Sequence, residues 1–263
     1  MAGTTAAERG DRQRESSGPP PARRFARRRL RLVLALAALV LVSAGGVWLL
    51  YGSPWLRAQK VAVSGTRVLA PERVRAVADV PVGDPLVSVD TGAVASRLRR
   101  ELPRIDTVDV VRSWPDGISL KVVERTPVLL VEKGGKFIEV DDEGVRFATV
   151  SKAPRGIPLL ELAVSRSSSA AASLRRFGEP RLVREAVRVA GAVPDEVARD
   201  TRVVKVRSYD AISLELSGGR TVAWGSSEKG RAKARTLTAL MKAAPGARHF
   251  DVSVPTAPAS SGS

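Results

Sequence analysis

Twenty consecutive residues, Leu32 to Tyr51, read LVLALAALVLVSAGGVWLLY and carry no charge. No other stretch constrains the chain so tightly. As a helix rising ~1.5 Å per residue, it spans about 30 Å, the thickness of a bilayer's hydrocarbon core. Eleven of the twenty are Leu or Val, each favouring insertion by roughly 0.3–0.6 kcal/mol near the helix centre. A core helix of a globular protein is rarely apolar on every face for this length. A cleavable signal has a shorter apolar run of about 7–15 residues and an A-x-A-like site after it. Here GSPWLRAQK follows instead. The stretch therefore predicts a retained transmembrane helix over residues 32–51, with Trp48, Tyr51 and Trp55 as interfacial aromatics.

Arg23, Arg24, Arg27, Arg28, Arg29 and Arg31 stand immediately before this span, and only Arg57 and Lys60 just after it. Positive charge near a span stays on the cytoplasmic side, so the N-terminus is expected inside and residues 52–263 outside. Residues 1–31 are expected to form a basic, disordered cytoplasmic tail, rich at first in Gly, Pro, Ser and charge. The net charge is +16. The tail holds nine Arg and three acids, so the rest of the excess, thirty-four basic against twenty-four acidic residues, lies after the span. An anionic neighbour outside is implied: lipid headgroups, wall polymers or an acidic protein face. There is no cysteine, hence no disulfide or thiol chemistry.

After the span the periodicity changes. KVAVS (60–64) reads as a strand closed by Gly65. Pro71 suits the first turn of a helix, with Val74, Val77 and Ala78 as its apolar stripe. PVGDPLVSVD is a loop with an extended piece. Asp90 is a candidate N-cap for a helix carrying Val94, Leu98 and Leu102 at i, i+4 and i+8, stopped by Pro103. VDVVRSWPDGISLKVVER then forms a hairpin around Pro115-Asp116-Gly117, with Ile118, Leu120 and Val122 on one face. Pro127 cannot donate to a ladder and ends the unit.

A second set of strands follows: VLLVE, FIEV and VRF around the acidic turn Asp141-Asp142-Glu143, then KVR, ISLEL and RTVAWG. Leu182, Ala186, Val189 and Ala190 suggest a helix, and SRSSSAAAS (165–173) a loop. Ser226–Lys242 predicts a helix with Ala234, Leu237, Leu240 and Met241 inward and Arg231, Arg235 and Lys242 on the other face. FDVSVP is a strand, with Val252 and Val254 expected in the core and Ser253 outward, and 256–263 a disordered tail. The fold class is thus α+β: one N-terminal transmembrane helix, a βααββ domain over 56–126, and a mixed β-sheet domain with flanking helices over 127–255.

Catalytic chemistry is hard to build from these residues. One histidine, His249, excludes most Ser-His-Asp and His-metal sets. The acidic turn lacks the alternating oxygen ligands of a calcium loop and reads as a solvated hairpin turn. Glu124-Arg125 reads as an ion pair at the domain junction. No enzyme, cofactor or metal is expected.

The series KVAVSG, GDPLVSVD and LPRIDTVDVVRSWPDGISLKVVERTPV, just outside a single anchor, resembles the POTRA domain of the FtsQ (DivIB) family of bacterial cell-division proteins. TVAWG, the Lys-rich helix and FDVSVPTAP resemble that family's β domain. The composition is similar to that of a high-GC Gram-positive genome. The resemblance implies a single-pass cell-membrane protein of the division septum. It would be a scaffold that binds the small coiled-coil proteins FtsB (DivIC) and FtsL and helps control septal peptidoglycan synthesis. Rival readings are a POTRA-type chaperone or assembly factor and a wall-glycan-binding membrane protein. Nucleic acid is not expected, because no aromatic-interleaved basic motif is present. The residues expected to meet a partner are Arg231 and Arg235 on the helix and Asp251, Val252, Ser253 and Val254 on the last strand, offered as a sheet edge that accepts an added strand.

Overall fold

The computed structural model describes residues 21–162 and 176–262, with side chains described from Arg29 onward. Helix α1 runs Pro21–Gly52. Its segment Arg29–Gly52 is long and apolar enough to cross a membrane and is not covered by the rest of the chain. The helix begins well before the apolar run. Residues 21–31, expected as disordered tail, continue it, because Arg is a good helix former and Pro21 suits a first turn. The expectations for residues 1–20 and for the 165–173 loop lie outside the described residues.

Seven residues after α1, strand β1 (Lys60–Ser64) starts the first folded domain. Helices α2 (Pro71–Ala78) and α3 (Thr91–Glu101) follow, then β2 (Ile105–Ser113) and β3 (Gly117–Glu124). The sheet order is β1-β3-β2, with β1 parallel and β2 antiparallel to β3. Asp90 caps α3 by accepting a 2.9 Å bond from the Ala93 amide. Val74, Val77, Ala78, Val94 and Leu98 bury against Ile118, Leu120 and Val122. Burial of each such Val or Leu contributes about 1.5–3 kcal/mol. Gly65 is required at the exit from β1: its φ is +85° and a Cβ there would lie 2.0 Å from the Val122 carbonyl oxygen. The loop before α3 tightens into a 3-10 turn at Leu86–Ser88, which buries Leu86.

Among the described residues, the second domain holds one nine-stranded sheet in the order β12-β11-β10-β9-β8-β7-β4-β5-β6. Its strands are β4 (Leu129–Lys133), β5 (Lys136–Val140), β6 (Arg146–Val150), β7 (Leu159–Leu162), β8 (Thr201–Ser208), β9 (Ala211–Leu216), β10 (Thr221–Gly225), β11 (His249–Asp251) and β12 (Ala259–Ser261). The centre, β4-β7-β8, is parallel, and antiparallel hairpins flank it. Helices α4 (Glu179–Ala192), α5 (Asp195–Asp200) and α6 (Gly230–Ala243) complete it. Helix α4 packs on β8 and on α6, and α6 packs on β11. The core joins Leu182, Val183, Ala186 and Val189 of α4 to Val204, Leu214, Trp224, Leu237 and Phe250.

Three elements differ from the sequence expectation. β7 and α5 are too short to leave a periodic signal. β12 forms inside the stretch expected to be a disordered tail. Its side chains are all exposed, so it has no apolar pattern, and only its backbone pairing with β11 orders it.

Candidate partner-binding edge

The last strand is shorter than FDVSVP suggests. β11 ends at Asp251, whose Oδ1 accepts bonds from both the amide and the hydroxyl of Ser253, at 2.9 and 2.7 Å. This local turn competes with the ladder and bends the chain out of the sheet. The Ser253 hydroxyl, and behind it the Ser253 amide, hold the Asp251 carboxyl below its usual range, against an opposing push from burial. The alternation therefore fails after the turn. Phe250 and Val252 enter the core, and Ser253 is exposed as expected. Val254 does not enter the core and is 54% exposed. The Val252 amide donates to the Ala223 carbonyl at 2.9 Å, toward β10.

Nor is β11 the edge. β12 pairs with it antiparallel, with Phe250 opposite Ser260 and Asp251 opposite Ala259. Among the described residues, the free border of the sheet on this side is the outer edge of β12. The residues expected to present an open edge, Asp251 to Val254, stand one strand behind it.

Helix α6 lies beside this border. Thr236 Oγ1 donates to the Pro255 carbonyl at 3.3 Å, tying the helix to the segment between β11 and β12. Arg231 and Arg235 are exposed, as the helical spacing predicts, and Lys242 is too. The helix starts at Gly230 rather than Ser226, because Lys229 adopts a left-handed φ of 54° just before it. Gly230 fits there because a Cβ would come within 2.8 Å of the Ala192 Cβ. The apolar face contains a residue that the pattern concealed. Lys233 is buried beside Leu237 and donates to the Ser226 carbonyl at 2.8 Å. Burial pushes its amine below the usual lysine range. Arg248 is a further exposed cation at the border; its amide donates to the carbonyls of Ser261 and Gly262, holding β12 in place. The signal for it was present as a basic residue flanking the strand.

At the other end of α1, Arg23, Arg24, Arg27 and Arg28 fall on its first turns, and Arg29 and Arg31 are exposed.

The domain junction also differs from its expectation. Glu124 and Arg125 do not pair with each other. Glu124 accepts from the backbone amides of Arg67, Val68 and Leu69, at 2.7 to 3.1 Å. Burial pushes its carboxyl up, but these donors outweigh it and leave it below the usual range. Arg125 reaches across to Asp141. Asp141 is no solvated turn residue. It is 1% exposed, and its other oxygen accepts from the Glu143 and Val145 amides. Arg104 pairs with buried Glu139 at 2.5 Å and its guanidinium lies over the Phe147 ring. Among the described residues no acidic cluster has the geometry to hold a metal ion.

A family model described as the POTRA domain, FtsQ-type, matches residues 56–125. The chain is 74% identical over 264 residues to the cell division protein FtsQ of Streptomyces collinus, covering all of both chains. It is also 74% identical, with the same coverage, to the cell division protein FtsQ of Streptomyces coelicolor. Among solved structures, the major extracytoplasmic domain of the division protein DivIB of Geobacillus stearothermophilus aligns with a TM-score of 0.31 and 14% identity, over 51% of this chain and 96% of that one.

Proposed function

This chain belongs to the FtsQ family of cell-division proteins, and on that premise we propose that it is a non-enzymatic scaffold of the division septum. It is a membrane-anchored protein that works with other division proteins. Its N-terminus lies in the cytoplasm, and its two folded domains lie outside. There it holds FtsB/DivIC-like and FtsL-like coiled-coil partners and helps control septal peptidoglycan synthesis.

The observation that supports the partner reading is the sheet border at β12. Its outer edge has no strand beside it among the described residues, and α6, which carries the exposed Arg231 and Arg235, is tied to the segment between β11 and β12. An added strand gains main-chain hydrogen bonds there with little demand on side chains. The flanking Arg231 and Arg235 favour an acidic segment beside that strand. The β11 border is occupied, so the docking strand adds outside β12.

Capture of the full chain from crosslinked membranes tests this. Small single-pass coiled-coil division proteins should be enriched. Recovery of glycan strands or of unfolded outer-surface β proteins in their place would replace the scaffold reading with one of its rivals.

A further inference from the structure

The end of the first exported domain that faces α1 is apolar where a soluble domain would be polar. Trp55 is 80% exposed, Val82 65% and Trp114 53%. They come from three segments that the backbone ties into one rim. The Ala58 amide donates to the Asp84 carbonyl and the Gly83 amide to the Ala58 carbonyl, at 2.9 and 2.8 Å. The Gln59 amide donates to the Asp116 carbonyl at 2.8 Å. Residues 57–60 thus stitch the loop carrying Val82 to the hairpin turn carrying Trp114. The rim directly adjoins the apolar helix: Leu49 of α1 shares a cavity with Trp55, Leu56, Gln59 and Pro115.

We propose that this rim seats in the headgroup region of the bilayer's outer face, so that the first exported domain lies on the membrane instead of swinging from a tether. The proposal rests on α1 spanning the membrane with this domain outside. Two observations favour a lipid surface as the occupant. First, the rim continues the surface that α1 already presents to lipid, since α1 ends at Gly52 and β1 begins at Lys60. Seven intervening residues, three of them coiled into a 3-10 turn at Pro54–Leu56, leave little reach away from the bilayer. Second, two of the three side chains are Trp, whose ring suits the boundary between acyl chains and water.

The cations at the rim are held by partners within the domain, and Arg112 donates to the Leu86 and Val89 carbonyls at 3.0 and 2.7 Å. Lys60 pairs with Asp116 at 2.7 Å. Arg57 donates to the Gly83 carbonyl at 2.8 Å, and Asp84 is exposed beside it. Seating is therefore driven by the apolar side chains and needs no anionic lipid.

The natural chain has no cysteine, so single labels can be placed on the full chain in phosphatidylcholine nanodiscs that carry nitroxide lipids. A fluorophore on Val82→Cys should be quenched by headgroup nitroxide severalfold more than one on Lys133→Cys at the end of β4. That quenching should survive ~1 M salt, where the screening length is about 3 Å. Adding Trp114→Ser, at a side chain outside the buried core cluster, should lower the docked-to-free ratio about tenfold, or ~1.4 kcal/mol, without moving the melting transition. A third label, on Val40→Cys, reads the anchor through deep-chain nitroxide. If Val40→Cys is quenched and Val82→Cys is no more quenched than Lys133→Cys, the rim does not seat. Quenching at Val82→Cys that ignores Trp114→Ser would show mere nearness to the tether and would also overturn the proposal. Failure at Val40→Cys would remove the anchor and the proposal with it.

Discussion

Glu124 and Arg125 are neighbours in sequence and act on opposite sides of a boundary. Glu124 closes the first domain by accepting from the 67–69 amides. Arg125 pairs with Asp106 of β2 at 3.4 Å and reaches into the second domain by meeting Asp141. Bonds to a charged group are worth about 1.5–3 kcal/mol each, so Glu124→Gln is expected to destabilise the first domain by about 1–3 kcal/mol at neutral pH. The sign of the pH dependence follows from the direction of the shift. The folded carboxyl titrates below its unfolded value, so its contribution is complete above the ordinary carboxylate range and is lost as pH falls through the lower folded value. Thermal melts of the two proteins should differ at pH 7 and converge under strong acid. A gap that persists in acid would show that Glu124 acts by packing alone. Arg125→Ala strands a buried carboxylate and should cost about 3–5 kcal/mol. Arg125→Met with Asp141→Asn removes both charges, keeps the acceptor for the Glu143 and Val145 amides, and should cost clearly less in the same melts. A double variant as unstable as the single one would argue against a charge penalty.

At the scale of elements, strong local signals were legible in the sequence and weak ones were not. β1 starts and stops where Lys60 and Gly65 place it, because alternation and a required glycine coincide there. Asp90 caps α3 as its spacing indicates. The run Ile118, Leu120 and Val122 buries as one face. The C-terminal border was less legible. Val254 alternates correctly, but the Asp251–Ser253 turn breaks the ladder before it. β12 carries no side-chain pattern at all. Lys233 looks like a surface residue in sequence, and only the packing of α6 against α4 and β11 buries it. These differences shift the expected docking edge by one strand.

Each inter-strand bond contributes roughly 0.5–1.5 kcal/mol net. Proline at Ala259, Ser260 or Ser261 should therefore separate two effects. Where the amide faces β11, proline should loosen β12. Where it faces outward, the melt should be unchanged and affinity for a coiled-coil partner should fall about tenfold, at ~1.4 kcal/mol per decade. Arg231→Glu with Arg235→Glu should weaken binding modestly and in a salt-dependent way, since exposed charge pairs are worth ~0–1 kcal/mol each. Calorimetric titration of folded variants checks both. Normal binding by every folded proline variant would place the partner elsewhere.

For the whole molecule, the central claim is that a membrane-anchored division protein presents its far sheet border to its partners. α1 and the first domain hold one end, and the buried pairs Arg104–Glu139 and Arg125–Asp141 couple the two domains. β12 with α6 closes the opposite border of the nine-stranded sheet from β6. A photoreactive amino acid placed at Ser260 in the full chain, in dividing cells, tests this most directly. A matched probe at Lys133, the last residue of β4, serves as the comparison. The expected result is an adduct with a small coiled-coil division protein from Ser260 and none from Lys133. No adduct from Ser260, or equal adducts from both positions, would contradict the claim.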